Sequence, residues 1–341
     1  MKPAALEKII SRFPKSKILV IGDLILDEYI WGSVERISPE APVPVVWANK
    51  RTYVPGGAAN VANNIRSLDA KVCLVGVVGK DKNRDVLLAE LKKRNISCQG
   101  IFMVPQRHTT LKTRILAGHQ QVVRLDWEHT DSLPKDINTK ILKFIQTNMD
   151  DFGAIIIEDY GKGVINKDLI TELIVLCRKH KKIVTVDPKE EHFQFYSRVT
   201  SITPNRKELE NAIRNLRIKD TTNRFKFNTD KLFTDKEIDL AADEIMHYLD
   251  LDSLLVTLGE NGMCLFGRDN RITRIPTVAQ EVFDVSGAGD TVIATFTLAL
   301  SCGATQLEAA HLANFAAGIV VGKIGTAVTS RKELLERIRW K

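Results

Sequence analysis

The sequence predicts an α/β chain with a mostly parallel central sheet flanked by helices and a small β lid at one end. Three observations carry this reading. Continuous apolar runs of strand length recur, led by residues 17–23, as strands buried on both faces require. Helical patterns alternate with them, which puts helices on the faces of the sheet. Two β-like stretches, about 25–54 and 100–126, interrupt the alternation and are expected to meet as the lid.

Residues 1–14 form an N-terminal unit whose residues 3–13 read as a short amphipathic helix. After the first strand, β-like runs at 29–31 and 43–47 are broken by Pro39, Pro42 and Pro44, so this segment belongs outside the main sheet. Gly56-Gly57-Ala58-Ala59-Asn60 opens a helix to about residue 68. A strand at 72–78, a helix at 82–94 and short strands at 101–104, 111–116 and 122–126 follow. Helices near 135–149 and 167–180 lead to strands 154–158 and 183–187 in turn. A short strand at 201–203 ends in Pro204-Asn205, and a helix begins at 206. Helix 235–249, strands 253–257 and 263–266, and a segment at 271–276 come next. Helices at 288–301, 306–323 and 331–338 finish the chain. No repeat or linker divides 15–335, which reads as one domain.

The chain has 341 residues, 44% hydrophobic and 27% charged, the balance of a folded globule. Its net charge of +7 is partly local. Residues 211–236 hold seven Lys/Arg and three Asp, so they read as a basic surface insertion, with nucleic-acid binding the weakest alternative. The five cysteines show no C-x-x-C spacing, which fits buried free thiols in a reducing compartment. No run approaches the roughly 20 apolar residues of a membrane span. The expectation is a cytoplasmic protein with no membrane and no nucleic-acid partner.

The chemistry concentrates in Asp284-Val285-Ser286-Gly287-Ala288-Gly289-Asp290, which runs straight into a helix. Small residues there let the backbone turn tightly and present free amides at a helix N-terminus, an anion site. Asp290 in the first turn reads equally well as a helix cap or as a base beside that site. The spacing fits neither a P-loop nor a dinucleotide-binding fingerprint.

Together with Gly56–Asn60 and Pro204-Asn205-Arg206-Lys207-Glu208, this segment resembles the ribokinase/PfkB family of carbohydrate kinases over about residues 15–335. Residues 22–29, 36–45, 159–163 and 320–326 are similar to the D-glycero-β-D-manno-heptose 7-phosphate kinases within it. In many bacteria that kinase is fused to an adenylyltransferase. This chain has no H-x-G-H motif, so it resembles a stand-alone kinase or a kinase half.

The resemblance implies a ribokinase-like fold, ATP and Mg²⁺ as cofactors, and phosphorylation of a heptose 7-phosphate at its anomeric hydroxyl, a step toward ADP-heptose and lipopolysaccharide. It also implies a homodimer through the lid. Asp290 would be the base, with Gly287, Ala288 and Gly289 as the anion hole. Asn205 and Glu208 would organise Mg²⁺ through water, although the same pair is also a capping-box pattern. Asp27, Gly56, Gly57 and Asn60 would line the sugar site. Asp23 is similarly placed, or caps a strand end. Arg114, Arg124 and Lys162 are the candidates for the 7-phosphate, with Lys162 first and Arg107 and Lys112 behind. Leu258, Gly259, Gly262, Asn314 and Gly318 would meet the adenine. The alternatives are another sugar kinase of this family, acting on ribose, fructose or a ketodeoxy sugar, and a catalytically silent nucleotide- or sugar-binding regulator. An unphosphorylated acceptor would need no Arg/Lys clamp.

Overall fold

A computed structural model describes residues 3–118, 120–229, 231–279, 281–323 and 325–339. Asp230 of the basic stretch, Ile324 of the 320–326 segment and residues 1–2 of the N-terminal unit lie outside the described residues. The strands are β1 (Lys17–Gly22), β2 (Leu24–Ile37), β3 (Pro44–Gly57), β4 (Lys71–Val78), β5 (Ser97–Met103), β6 (Thr110–Ala117), β7 (Gln120–Trp127), β8 (Ala154–Glu158), β9 (Ile183–Asp187), β10 (Ser201–Ile202), β11 (Ser253–Thr257), β12 (Met263–Gly267) and β13 (Ile272–Ile275). The helices are α1 (Pro3–Ile10), α2 (Ala58–Ser67), α3 (Lys82–Lys93), α4 (Lys135–Thr147), α5 (Lys167–Lys179), α6 (Arg206–Lys219), α7 (Asp235–Leu249), α8 (Ala288–Ser301), α9 (Gln306–Val320) and α10 (Arg331–Arg339).

The main sheet has nine strands in the order β13-β12-β11-β10-β9-β8-β1-β4-β5. From β11 to β5 every pair is parallel, and β12 and β13 close one edge antiparallel. Its strands are apolar on both faces because both faces are covered. Ile18, Val20 and Ile156 enter one core with α1, α2, α8 and α9. Leu19, Ile21, Ile155 and Ile157 enter the other with α4 to α7. Alternate residues of one strand thus feed two separate cores.

The lid is a second sheet, β3-β2-β6-β7. It departs from the sequence expectation in two ways. The short runs at 29–31 and 43–47 belong to two strands of 14 residues, bent where the register shifts at Trp31/Gly32 and Val34/Arg36. These bulges let β2 and β3 continue where an even pattern breaks down. The short run at 101–104, expected at the start of the second lid segment, falls largely in β5, which pairs with β4 at the edge of the main sheet. Ile101 packs on a main core, which draws the strand there.

The basic stretch is also more ordered than a solvated insertion. Helix α6 continues to Lys219, and Phe225 and Leu232 are buried in the second core. All five cysteines are free, and Cys98 alone among them is not fully buried. No helix of the described residues is long and apolar enough to cross a membrane.

Candidate active site

Three neighbouring strands bring acids to the same edge, β8 and β9 as their last residues and β1 in the residue that follows it. Gly22 of β1 pairs with Glu158 of β8, and Glu158 pairs with Asp187 of β9. Asp23 follows directly. The carboxyl edge of such a sheet, under the loops that leave it, is where α/β proteins place their ligands. The amino end of α8 arrives at this edge and adds Asp290.

Gly287 precedes α8 with φ of 78°, a left-handed conformation that costs glycine little and other residues much. That turn lets α8 start abruptly and leaves its first amides uncapped by any side chain. Ala288, Gly289 and Asp290 are its first three residues. Asp290 is buried, accepts from Asn60 Nδ2 at 2.5 Å and accepts from Tyr160 Oη at 3.1 Å. Burial pushes its carboxyl up to about 6, against the pull of those two donors. The Asp290 charge in turn holds the Tyr160 phenol well above its ordinary value, so Tyr160 remains a donor. Asn60 Oδ1 is buried without a hydrogen-bond donor.

Oxygens of Glu158, Asp187 and Asp290 lie within 4.8 Å of one another. Neither Glu158 oxygen has a donor. Desolvation first, then repulsion from neighbouring carboxylates (Asp187 and Asp290 on Glu158, Glu208 and Asp290 on Asp187), raises both carboxyls well above the ordinary range. Glu208 adjoins this group and is raised by burial. Asn205 and Glu208 do form the reciprocal capping box at the start of α6: Glu208 N–H donates to Asn205 Oδ1 at 2.9 Å, and Asn205 N–H donates to Glu208 Oε2 at 2.8 Å. The helix cap and the acidic cluster share one residue.

Asp23 resolves as a brace. Its carboxylate accepts backbone N–H groups of Tyr160, Lys162 and Val164 at 2.9 to 3.1 Å. This fixes the 160–164 loop, which sends Tyr160 to Asp290 and Lys162 to the lid. Burial raises Asp23 to about 6. Arg107 braces the same loop, donating to carbonyls of His129, Asp131 and Lys162, so its guanidinium is engaged by backbone.

The lid carries the cations. Arg114 on β6 pairs with Asp27 on β2 and lies 5.4 Å from the Tyr29 ring centre. Arg124 stands opposite Arg114 on β7 and pairs with Asp126 at 3.0 Å. Lys112 reaches Asp126 and Glu128 at 3.1 and 3.3 Å, and Lys162 reaches Glu128 at 2.7 Å. Arg114, Lys112 and Lys162 are half-buried, while Arg124 is half exposed. A Cβ on Gly56 would stand 2.5 Å from the Asp27 carboxylate, so only glycine lets β3 pass so close. Gly57 follows at the start of α2.

Of the residues expected at the adenine, Leu258 follows Thr257, which bridges Asn205 beside Glu208. Leu258, Gly259 and Gly262 form the tight turn between β11 and β12. Asn314 and Gly318 lie on α9. Asn314 is buried and donates to Pro276 O at 2.8 Å, and Gly318 packs against Val278. This pair holds the 276–279 segment against α9.

Sequence reasoning gave no role to Tyr160, Glu158 or Asp187. The signal for the acids was an Asp or Glu closing a continuous apolar strand, at Glu158 and again at Asp187. Tyr160 carried no signal of its own, because its partner lies 130 residues away.

The family model for pfkB carbohydrate kinases matches residues 15–333. The chain is 43% identical over 317 residues to the bifunctional protein HldE of Geobacter metallireducens, covering 93% of this chain and 62% of that one. It is 44% identical over 318 residues to the HldE of Helicobacter pylori, covering 93% and 65%. The chain therefore spans under two thirds of the length of these relatives. Ribokinase of Arabidopsis thaliana, solved with ribose and ATP, superposes with a TM-score of 0.73 at 19% identity, covering 96% of this chain and 99% of that one. Phosphofructokinase-2 of Escherichia coli, solved with substrates and products, gives 0.74 at 17%, covering 95% and 99%. The fold is ribokinase-like, and the chain belongs to the pfkB family of carbohydrate kinases, a phosphotransferase family.

Proposed function

We propose that the chain transfers the γ-phosphoryl group of ATP to the anomeric hydroxyl of D-glycero-β-D-manno-heptose 7-phosphate, giving the 1,7-bisphosphate and ADP. The observation that carries the reading is that one loop joins an acid to a set of cations. Asp290, held by Asn60 and by Tyr160 of the 160–164 loop, opens α8, whose start no side chain caps. Lys162 of the same loop reaches Glu128 beside Lys112, and the lid adds Arg114 and Arg124, a set suited to a phosphomonoester on the acceptor. The HldE relatives and the similarity of residues 22–29 and 36–45 to heptose 7-phosphate kinases support that acceptor over ribose or fructose.

In this reading Asp290 takes the proton of the attacking hydroxyl, and amides of Gly287, Ala288 and Gly289 stabilise charge on the transferring phosphoryl group. A carboxyl near 6 is basic enough to accept that proton and still ionised at neutral pH. Asn60 and Tyr160 orient the carboxylate. Asp27, released from Arg114 when the phosphate arrives, accepts acceptor hydroxyls with Asn60 Oδ1 beside it.

The acidic group fits Mg²⁺, a hard cation that takes oxygen ligands. The test is Glu158, buried with two oxygens and no donor, next to Asp187. Asp187 and Glu158 would hold the ion, with Glu208 and Asn205 acting through water, and the ion would neutralise charge on the ATP phosphates. The outer part of the lid supports a homodimer. At the outer end of β2 and β3, Ile37, Val43 and Trp47 are 62%, 51% and 71% exposed, an apolar area that a second copy of the lid would cover.

The test is coupled ADP release across a panel of sugars and sugar phosphates. Turnover should be greatest with the heptose 7-phosphate. Strong turnover of ribose or fructose with none of the heptose phosphate overturns the acceptor.

A further inference from the structure

A second cavity of about 520 Å³ lies outside the cleft, between α5, the 190–195 turn that follows β9, and α7. Lys167, Thr171, Ile174, Val175 and Arg178 give it one face of α5, at helical spacing. Phe195, stacked on His192, and Tyr248 add aromatic surface. Arg198 and Arg224 complete its cationic side.

The basic stretch that the sequence singled out builds part of this wall. Asp220 accepts the N–H of Thr222 and of Phe225, which closes a turn. Phe225 is buried edge-on to Tyr248, at 5.4 Å between ring centres. Arg224, directly before Phe225, is held 5.6 Å from the centre of the Tyr248 ring.

The charge in this cavity differs from that of the lid. Among the described residues no carboxylate lies within ion-pair distance of Lys167, Arg178 or Arg224. The one acid of the lining, Asp250, is already paired with Arg268 outside it and stands 3.7 Å from Arg198. Gln194 Oε1 is buried at the cavity without a donor. Cations without partners call for an anion. Guanidinium groups favour phosphate, and the Ile174, Val175 and Phe195 wall calls for a flat or apolar body on it. The volume lies in the range of small-molecule sites.

We propose that this cavity is a second binding site, for a nucleoside phosphate, with the phosphate on Arg178 and Arg224 and the base against Phe195. The site adjoins the catalytic cleft. Lys167 and Phe195 also line a cavity of about 510 Å³ that includes Tyr160 and Lys162, and the 190–195 turn begins three residues after Asp187. An occupant there touches the segment that carries a site acid.

Equilibrium dialysis of the whole chain with labelled ADP tests this. Arg178→Ala with Arg224→Ala should lose one bound ADP per chain relative to the unaltered protein, with kcat at saturating ATP unchanged. Val175→Trp fills the cavity from an exposed position and leaves every cation in place. It should lose the same equivalent, and it keeps the test valid if the double variant does not fold. The proposal is overturned if both variants bind as much ADP as the unaltered chain. It is equally overturned if inorganic phosphate displaces that equivalent as well as AMP does, since charge alone would then explain it. The count does not depend on the kinase reading: failure of that reading would lower all the totals equally and leave the difference between them.

Discussion

The two sides of the catalytic cleft treat charge in opposite ways. On the floor, Glu158 and Asp290 are buried and Asp187 and Glu208 partly buried beside them, with no cation among the partners of Glu158 or Asp187. On the lid, Lys112, Arg114, Arg124 and Lys162 are each matched to Asp27, Asp126 or Glu128. The floor pays for its arrangement in raised carboxyl pKa values, which the proposed Mg²⁺ would relieve. The lid holds its cations in place through carboxylates that a phosphate can replace. Under the proposed function, the floor would take a cation and the lid a phosphate.

The sharpest way to break this comparison is at Asp290. Asp290→Asn keeps the shape and both hydrogen-bonding neighbours but removes the base. Turnover should fall by about 10²–10⁴-fold, the usual contribution of a general base. ATP affinity should stay within a few-fold by calorimetry. An active Asn variant would falsify the assignment of the base.

The lid side is tested by Arg114→Leu and Lys162→Met. Each removes a charge-assisted contact worth about 1.5–3 kcal/mol, so KM for the sugar phosphate should rise by roughly 10–100-fold. Turnover of an unphosphorylated sugar should not fall. Equal losses on both acceptors would mean that these cations only hold the lid together.

The pH profile sharpens the role of the floor. Asp290 must be ionised to accept a proton, and its carboxyl is raised to about 6. Activity should therefore be level above that pH and fall as pH drops through it. Asn60→Ala removes a donor that favours the ionised form, so the falling limb should move to higher pH, by about 1 unit. A limb that stays in place places the titration elsewhere.

The smallest effect expected is on stability. Glu158 and Asp187 have folded pKa values above their unfolded ones, so the folded chain binds more protons than the unfolded chain between them. Stability of the metal-free protein should then decline as pH rises through that window and stay low above it. Glu158→Gln should raise the metal-free Tm by about 2 °C while increasing the Mg²⁺ concentration needed for turnover. A lower Tm together with an unchanged Mg²⁺ requirement would make Glu158 an ordinary core residue.

Much of this was legible in the sequence because it is local. Helix α7 and the start of α8 follow from spacing, small residues and capping patterns within one segment. Asn205 and Glu208 gave their capping box three residues apart. The long lid strands were harder, since bulges break the alternation that marks a strand, and the true partner of residues 97–103 is β4, chosen by burial rather than by the strand's own pattern. At the site, Asp290 was found by its glycine-rich neighbours, whereas Tyr160 was not, because nothing near it in sequence mentions Asp290.

The sequence by itself determined the alternation of strands and helices, the small-residue turn at 286–289 and the set of acids and bases available. Tertiary structure alone decided which of them meet. Parallel register brings Gly22, Glu158 and Asp187 to one edge, where burial and the neighbouring carboxylates raise the two acids, and the Asp23 brace turns Tyr160 inward. Asp23 and Asp290 are both buried acids raised to about 6. One is filled by three backbone amides and supports a loop. The other keeps side-chain partners and an open neighbour, and that difference exists only once the chain is folded.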